Sequence, residues 1–246
     1  MRPLRIHEYI KDLLFPPRCA ICDGLLAQEE MKLHVCSRCR KELKYVQEPY
    51  CMKCGAPLKD PGGEYCSGCE EHRHYFDRGR SLYVYGSVRS SLYRFKYGGR
   101  KEYAEFYGRD LARRFGRQLK EWGVEAIIPI PLHPARQRRR GYNQAAAVAE
   151  VLSACTGIPL KDKLLKRSRN TGPQKKLSAR ERQINLKNAF NITQDVVQLR
   201  TVVVVDDIYT TGATMDEAAL ALKRKGIDRV YFLALATGTG DKGGAA

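Results

Sequence analysis

Apolar positions fall into two textures along the chain. Up to about residue 75 they are sparse and broken by turns such as Asp60-Pro-Gly-Gly, whereas from about Phe76 they gather into regular runs. Within the first part, Ile6, Ile10, Leu13 and Leu14 share one side of a short amphipathic helix over residues 1–15, which Pro16-Pro17 stops. Beyond Phe76, Ser81-Leu-Tyr-Val-Tyr predicts a strand and Val88–Tyr97 a helix closed by Gly98-Gly99. Tyr103–Trp122 predicts another helix. Ala126-Ile-Ile-Pro-Ile predicts a buried strand, followed by a basic loop and a helix from about Tyr142. Leu164-Leu165 marks a short strand, and Ser168–Arg182 shows no steady period. Thr201-Val-Val-Val-Val-Asp is apolar at successive positions, as in a parallel strand covered on both faces. Ala213–Lys225 predicts a helix ended by Gly226, and Arg229-Val-Tyr-Phe-Leu-Ala-Leu one more strand. Strands alternating with helices predict an α/β fold, a parallel sheet with flanking helices.

Cysteine usage explains the sparse first part. Eight of nine cysteines form Cys-x-x-Cys pairs, Cys19/Cys22, Cys36/Cys39, Cys51/Cys54 and Cys66/Cys69, the spacing of two Cys₄ zinc sites on ribbon knuckles. Sequential pairing is expected, 19/22/36/39 and 51/54/66/69, although spacing alone also admits crossed pairing. The N-terminus lacks a signal-peptide core, which weighs against a disulfide framework and leaves a cytoplasmic location as the default. Cys155 reads as a small core residue, and His7, His34, His72 and His74 as surface residues. Three segments follow: an N-terminal helix and double zinc-ribbon module over 1–75, an α/β domain over 76–236, and a Gly-rich tail over 237–246. No apolar run reaches the roughly 18 residues of a membrane span.

The net charge of +17 changes the picture of partners. Residues 1–78 hold 13 basic against 12 acidic residues, so nearly all the excess lies in the α/β part. Two zinc ions on eight thiolates would leave the ribbon slightly acidic, so a nucleic-acid footprint is expected on the second part.

The most informative stretch is Val202-Val-Val-Val-Asp206-Asp207-Ile-Tyr-Thr210-Thr211-Gly212-Ala213-Thr214. An apolar strand ends in two acids, turns tightly and enters a helix. Ligands of open α/β sheets bind at such strand ends, and backbone N–H groups at a helix N-terminus favour an anion. Adjacent carboxylates beside an anion site need partners, and the diol of a ribose supplies them. The segment resembles the 5-phosphoribosyl 1-pyrophosphate (PRPP) motif of type I phosphoribosyltransferases. That resemblance implies that Asp206 and Asp207, the catalytic pair, hold the ribose hydroxyls directly or through metal-bound water. It implies that Thr210, Thr211, Gly212, Ala213 and Thr214 surround the 5′-phosphate, with Ala213 replacing a hydroxyl residue found in other members.

Phe95-Lys-Tyr-Gly-Gly, Pro129-Ile-Pro-Leu-His133, Arg140-Gly-Tyr-Asn-Gln144, the Arg169/Thr171/Gln174 stretch and Glu181-Arg182-x-x-Asn185 extend the resemblance over nearly the whole chain. Together they resemble the ComF family, named for competence for DNA uptake, which joins a double zinc ribbon to a phosphoribosyltransferase domain. This implies a PRPP-binding protein, with Mg²⁺ accompanying PRPP and an unknown acceptor. His133–Gly141 would be the pyrophosphate loop and Ser168–Arg182 the closing loop, with Arg140, Arg169, Gln174 and Arg180 as PRPP-binding residues. Two other readings use the same fold: a single-stranded DNA-binding protein working beside a helicase-like ATPase, and a PRPP sensor. Arg89, Arg94, Lys96 and Arg100 alternate with Tyr93, Phe95 and Tyr97, a mixture suited to single strands. Helical spacing with Val88 and Leu92 places Phe95 in the core instead.

Overall fold

The computed structural model describes residues 16–167, 189–193 and 198–238. The helix expected over residues 1–15, the stretch from Ser168 to Arg182 and the tail beyond residue 238 lie outside them. Two short helices, α1 (Ser37–Glu42) and α2 (Ser67–Glu71), belong to the cysteine region. The chain then runs β1 (Arg78–Val84), α3 (Tyr85–Tyr97), α4 (Tyr103–Glu121), β2 (Ala126–Pro129), α5 (Pro134–Arg140) and α6 (Gln144–Thr156). It continues through β3 (Leu165–Arg167), β4 (Phe190–Ile192), β5 (Thr201–Tyr209), α7 (Ala213–Lys223) and β6 (Arg229–Thr237). The main sheet is parallel in the order β1-β6-β5-β2, and β3 and β4 form a separate antiparallel pair.

The valine run of β5 behaves as its composition requires. Val203 and Val205 pack with Ile127, Leu233 and Leu235 against Leu92, Phe95, Leu111 and Val148 of α3, α4 and α6. Val202 and Val204 pack with Ile128, Phe232 and Ala234 against Met215, Ala218 and Leu222 of α7 and against Leu165 and Phe190. Each fully buried aliphatic side chain stabilises by about 1.5–3 kcal/mol, so alternate valines contribute to both layers. No helix among the described residues is long and apolar enough to cross a membrane.

Several expectations need correction. The basic loop after β2 is largely helix: Pro134 opens α5, His133 Nδ1 accepts the Ala135 N–H at 3.3 Å, and Gly141 at φ 81° closes it. Tyr85 begins α3 instead of ending the strand, which starts earlier at Arg78. Cys155 is exposed, because the buried stripe of α6 ends one turn before it at Leu152. His74 is no surface residue, with its side chain only 4% exposed against Asp216.

The ribbon does not stand apart from the α/β layers. Cys19, Leu26, Val35 and Cys39 share a core with α3, α4 and α6, while Cys51, Cys54 and Cys66 share one with Phe76, Tyr209 and α7. Ser91 and Arg94 of α3 donate to the carbonyls of Ala20 and Ile21. Asp23 accepts from Arg100 at 2.8 Å and from Tyr103 at 2.6 Å. Residues 44–46 run along the free edge of β1, with Val46 N donating to Leu82 O at 3.0 Å and Val84 N to Lys44 O at 2.8 Å. The Gly79 N–H of β1 donates to the Lys53 carbonyl at 2.8 Å, and Gly79 lies flat on Phe232, where any side chain would collide with the ring.

Candidate functional site

Because β5 is flanked on both sides, its C-terminal end opens between β6 and β2, where open α/β sheets place ligands. From that end the chain passes through Thr210, Thr211 and Gly212 into α7. Gly212 is the N-cap of α7 at φ 81° and ψ −12°, in the left-handed region that other residues adopt with strain. A Cβ there would also lie 2.8 Å from His74 Cε1 and 2.9 Å from the Tyr209 hydroxyl. A glycine N-cap has no side chain to cap the first-turn N–H groups, which leaves them to another acceptor. Thr210 is exposed, and Thr211 and Thr214 are half-buried, so their hydroxyls border the same turn.

The acids at the strand end are held in different ways. Asp206 Oδ1 accepts the N–H of Asp207 at 2.8 Å, and Asp207 Oδ1 receives the Lys96 ammonium at 2.8 Å. Burial, followed by the charge of Asp207, pushes the Asp206 carboxyl up to about 7, with Lys96 and Arg167 pulling against it. Arg167 lies within electrostatic reach of Asp206 and packs over Phe190 at 5.6 Å. Burial, and then the charge of Arg136, bring its guanidinium down to about 10. Arg140 donates to Gln144 Oε1 at 3.0 Å and to the Tyr97 hydroxyl at 3.2 Å, with its guanidinium 4.9 Å from the Tyr97 ring. It therefore braces the last turn of α3, next to Lys96, and does not contact the carboxylate pair itself. Arg169, Gln174 and Arg180 lie outside the described residues.

Three members of this cluster were not singled out for it by sequence reasoning. Lys96 stands among aromatic neighbours that suit nucleic acid, and its place in Phe95-Lys-Tyr-Gly-Gly also belongs to the family pattern. Arg136 lies within His133–Gly141, the expected pyrophosphate loop, without standing out from its neighbours, and Arg167 is one of many basic residues. Only folding brings α3, α5 and β3 to the end of β5.

The cysteines gather sequentially, as expected. Cys19, Cys22, Cys36 and Cys39 form one group and Cys51, Cys54, Cys66 and Cys69 the other, with all ligand atoms in each group within 4.8 Å of one another. The Cys22–Cys36 and Cys54–Cys66 sulfurs are 3.9 Å and 3.7 Å apart. A tetrahedron with Zn–S bonds of about 2.3 Å has edges of about 3.8 Å, so both groups fit zinc. Those separations are far beyond a disulfide bond of about 2.05 Å. With four thiolates each, the sites are closed and structural.

Residues 10–70 match the double zinc ribbon domain family, and residues 138–243 match the phosphoribosyl transferase domain family. The chain is 35% identical to competence protein F of Haemophilus influenzae over 89% of its own length and 96% of the relative's. It is 29% identical to competence protein ComFC of Bacillus subtilis, covering 85% and 89% of the two chains. It is 32% identical to DNA utilization protein YhgH of Salmonella typhimurium, covering 91% and 98%. Two zinc-fitting Cys₄ groups, a parallel sheet ending in Asp206-Asp207 and these end-to-end similarities lead to one conclusion: the chain belongs to the ComF family, a double zinc ribbon joined to a phosphoribosyltransferase domain.

Proposed function

We propose that the protein binds PRPP at the C-terminal end of β5 and acts as a Mg²⁺-dependent phosphoribosyltransferase in cytoplasmic DNA uptake or DNA handling. The observation that carries this reading is the junction 206–214, where a carboxylate pair held by Lys96 adjoins a helix N-terminus capped only by glycine. A sugar 5-phosphate needs both features. Thr210, Thr211, Gly212, Ala213 and Thr214 would take the phosphate, while Asp206 and Asp207 would accept from the ribose hydroxyls. Arg136, Arg140 and Arg167 would suit the pyrophosphate, and Arg169, Gln174 and Arg180 are assigned to it by the family resemblance.

One oxygen of Asp206 is taken by a backbone N–H and one of Asp207 by Lys96, which leaves one on each for the ligand or for the water shell of a cation. That donor set fits Mg²⁺ arriving with the substrate phosphates, because this ion keeps several waters and uses one or two carboxylates. Bound with PRPP, Mg²⁺ would neutralise leaving-group charge. The chain's own contribution is to hold donor and acceptor in line, to balance charge on the departing pyrophosphate with arginines, and to exclude water.

Competence and DNA-utilization names among the relatives support the cellular setting. Calorimetry should show PRPP with Mg²⁺ binding the wild type and Asp206→Asn/Asp207→Asn weakening it more than about tenfold, since two charge-assisted bonds are lost. Equal binding by both proteins would overturn the site. A pyrophosphate-release screen against candidate acceptors then separates a transferase from a PRPP sensor.

A second reading has its own observation. Tyr93 and Tyr97 are 60% and 46% exposed on α3 with ring centroids 5.1 Å apart, and Arg140 caps the second ring. Bases of single-stranded DNA would stack there, beside the phosphosugar pocket, with a helicase-like ATPase as the partner that delivers the strand.

A further inference from the structure

The linker between α2 and β1 lies directly on the phosphate loop. His74 Nδ1 is 2.7 Å from Asp216 Oδ2, and the Tyr75 backbone N–H donates to Asp216 Oδ1 at 2.8 Å. Asp216 stands in the first turn of α7, where the helix dipole favours negative charge. Left alone, its carboxylate would compete with a ligand phosphate for the same field. Both of its oxygens are instead engaged by the linker that descends from the second zinc site.

The His74 ring stacks on Phe76 at 4.6 Å, and its Cε1 fills the space that a Gly212 side chain would need. Beside it, on the same face of Gly212, stands the Tyr209 hydroxyl. Tyr209 packs edge-on to Phe76 at 6.2 Å and face-on to Phe232 at 4.8 Å. Tyr209 also shares its apolar cluster with the zinc ligands Cys51, Cys54 and Cys66. The bare face of Gly212 is thus covered by two side chains, one on the zinc linker and one bordering the zinc ligands.

We propose that His74 and Tyr209 are positioning residues that couple the second zinc site to the phosphate loop, so that zinc on Cys51, Cys54, Cys66 and Cys69 and a bound sugar 5-phosphate reinforce one another. The coupling rests on the reading of residues 206–214 as the phosphosugar site. Linkage makes it reciprocal: a ligand that binds the clamped loop must raise the equilibrium affinity for that zinc by the factor with which zinc tightens the ligand. The first zinc site packs on α3 and α4 and has no such connection through Gly212.

The test uses the zinc-loaded full chain with ribose 5-phosphate as probe, read by calorimetry and by release of zinc to a chromogenic chelator. Ribose 5-phosphate is expected to raise the equilibrium affinity for one of the two zinc ions, read as retention against the chelator, about fivefold or more and leave the other unchanged. His74→Leu should weaken ribose 5-phosphate about tenfold while keeping two zinc ions, and His74→Asn, whose amide can replace the bond to Asp216, should recover most of the affinity. Tyr209→Phe removes only a hydroxyl and should abolish the ligand's effect on zinc release, which decides the matter if His74→Leu fails to fold. Wild-type zinc release indifferent to ribose 5-phosphate, or affinity unchanged in His74→Leu, would overturn the coupling. Absence of any ribose 5-phosphate binding to wild type would instead remove the phosphosugar site and the coupling with it.

Discussion

At Asp206, two effects oppose one another. Burial and the adjacent Asp207 favour the neutral acid, while Lys96 and Arg167 favour the carboxylate, and the balance leaves it near 7. Its folded value therefore lies above the ordinary carboxylate value of about 3.9. Between those values the native state holds a proton that the unfolded chain has released, so this group's contribution to stability falls as pH rises from about 4 to about 7 and is level above. Asp206→Asn removes that cost. Denaturant unfolding should find the variant more stable than wild type at pH 8, by up to about 4 kcal/mol, with the gain shrinking by about 2 kcal/mol at pH 5.5. A gain that grows toward low pH would contradict the burial argument. In the proposed phosphosugar reading, the hydroxyls of a ribose diol would donate to this carboxyl and offset that cost.

At the scale of elements, the zinc knuckles are parts of the sheet's own core. Cys54 is buried beside Tyr209 and Gly55 meets the backbone of β1, whereas Cys22 lies exposed at the rim of the first site. Elemental analysis should find two zinc ions per chain. Cys54→Ser should lose one of them and lower Tm by about 6–12 °C, because an opened metal site also removes support from β1 and α7. Cys22→Ser should lose the other ion with a smaller drop. Equal drops for the two variants would mean that the second site supports the α/β layers no more than the first. A cooperative single transition is expected in all three proteins, since ribbon and sheet share both apolar clusters.

For the whole molecule, charge and exposed aromatic rings point to one face. The basic excess lies beyond residue 78, and α5 alone carries Arg136, Arg138, Arg139 and Arg140 beside Tyr97. Affinity for single-stranded DNA should fall steeply with salt, as expected when arginines displace counterions from phosphates. Arg138→Glu/Arg139→Glu should flatten that slope, and Tyr93→Ala/Tyr97→Ala should cost about 1–3 kcal/mol per stacked base. Charge reversals at Lys32, Arg40 and Lys41 on the ribbon should change little. If they instead removed most of the affinity, the ribbon would be the nucleic-acid surface.

How much was legible beforehand differs from residue to residue. Asp206, Asp207 and the turn to Thr214 were readable because strand, acids, glycine and helix are contiguous, and the eight cysteines because knuckle spacing is a local geometric demand. The helix after β2 was missed even though Pro134 and Gly141 mark its ends, since its many arginines read as loop. Lys96, Arg136 and Arg167 come from three separate elements, and His74 lies more than a hundred residues from its partner Asp216. The sequence by itself determined most of the strands and helices, the metal chemistry and the strand–turn–helix segment 202–214 on which the proposed ligand rests, all set by periods and spacings within short segments. Only the tertiary structure decided which cations meet the carboxylate pair and that the linker from the second cysteine group packs on Gly212 and Asp216, because such contacts depend on how the sheet stacks its layers and not on any local pattern.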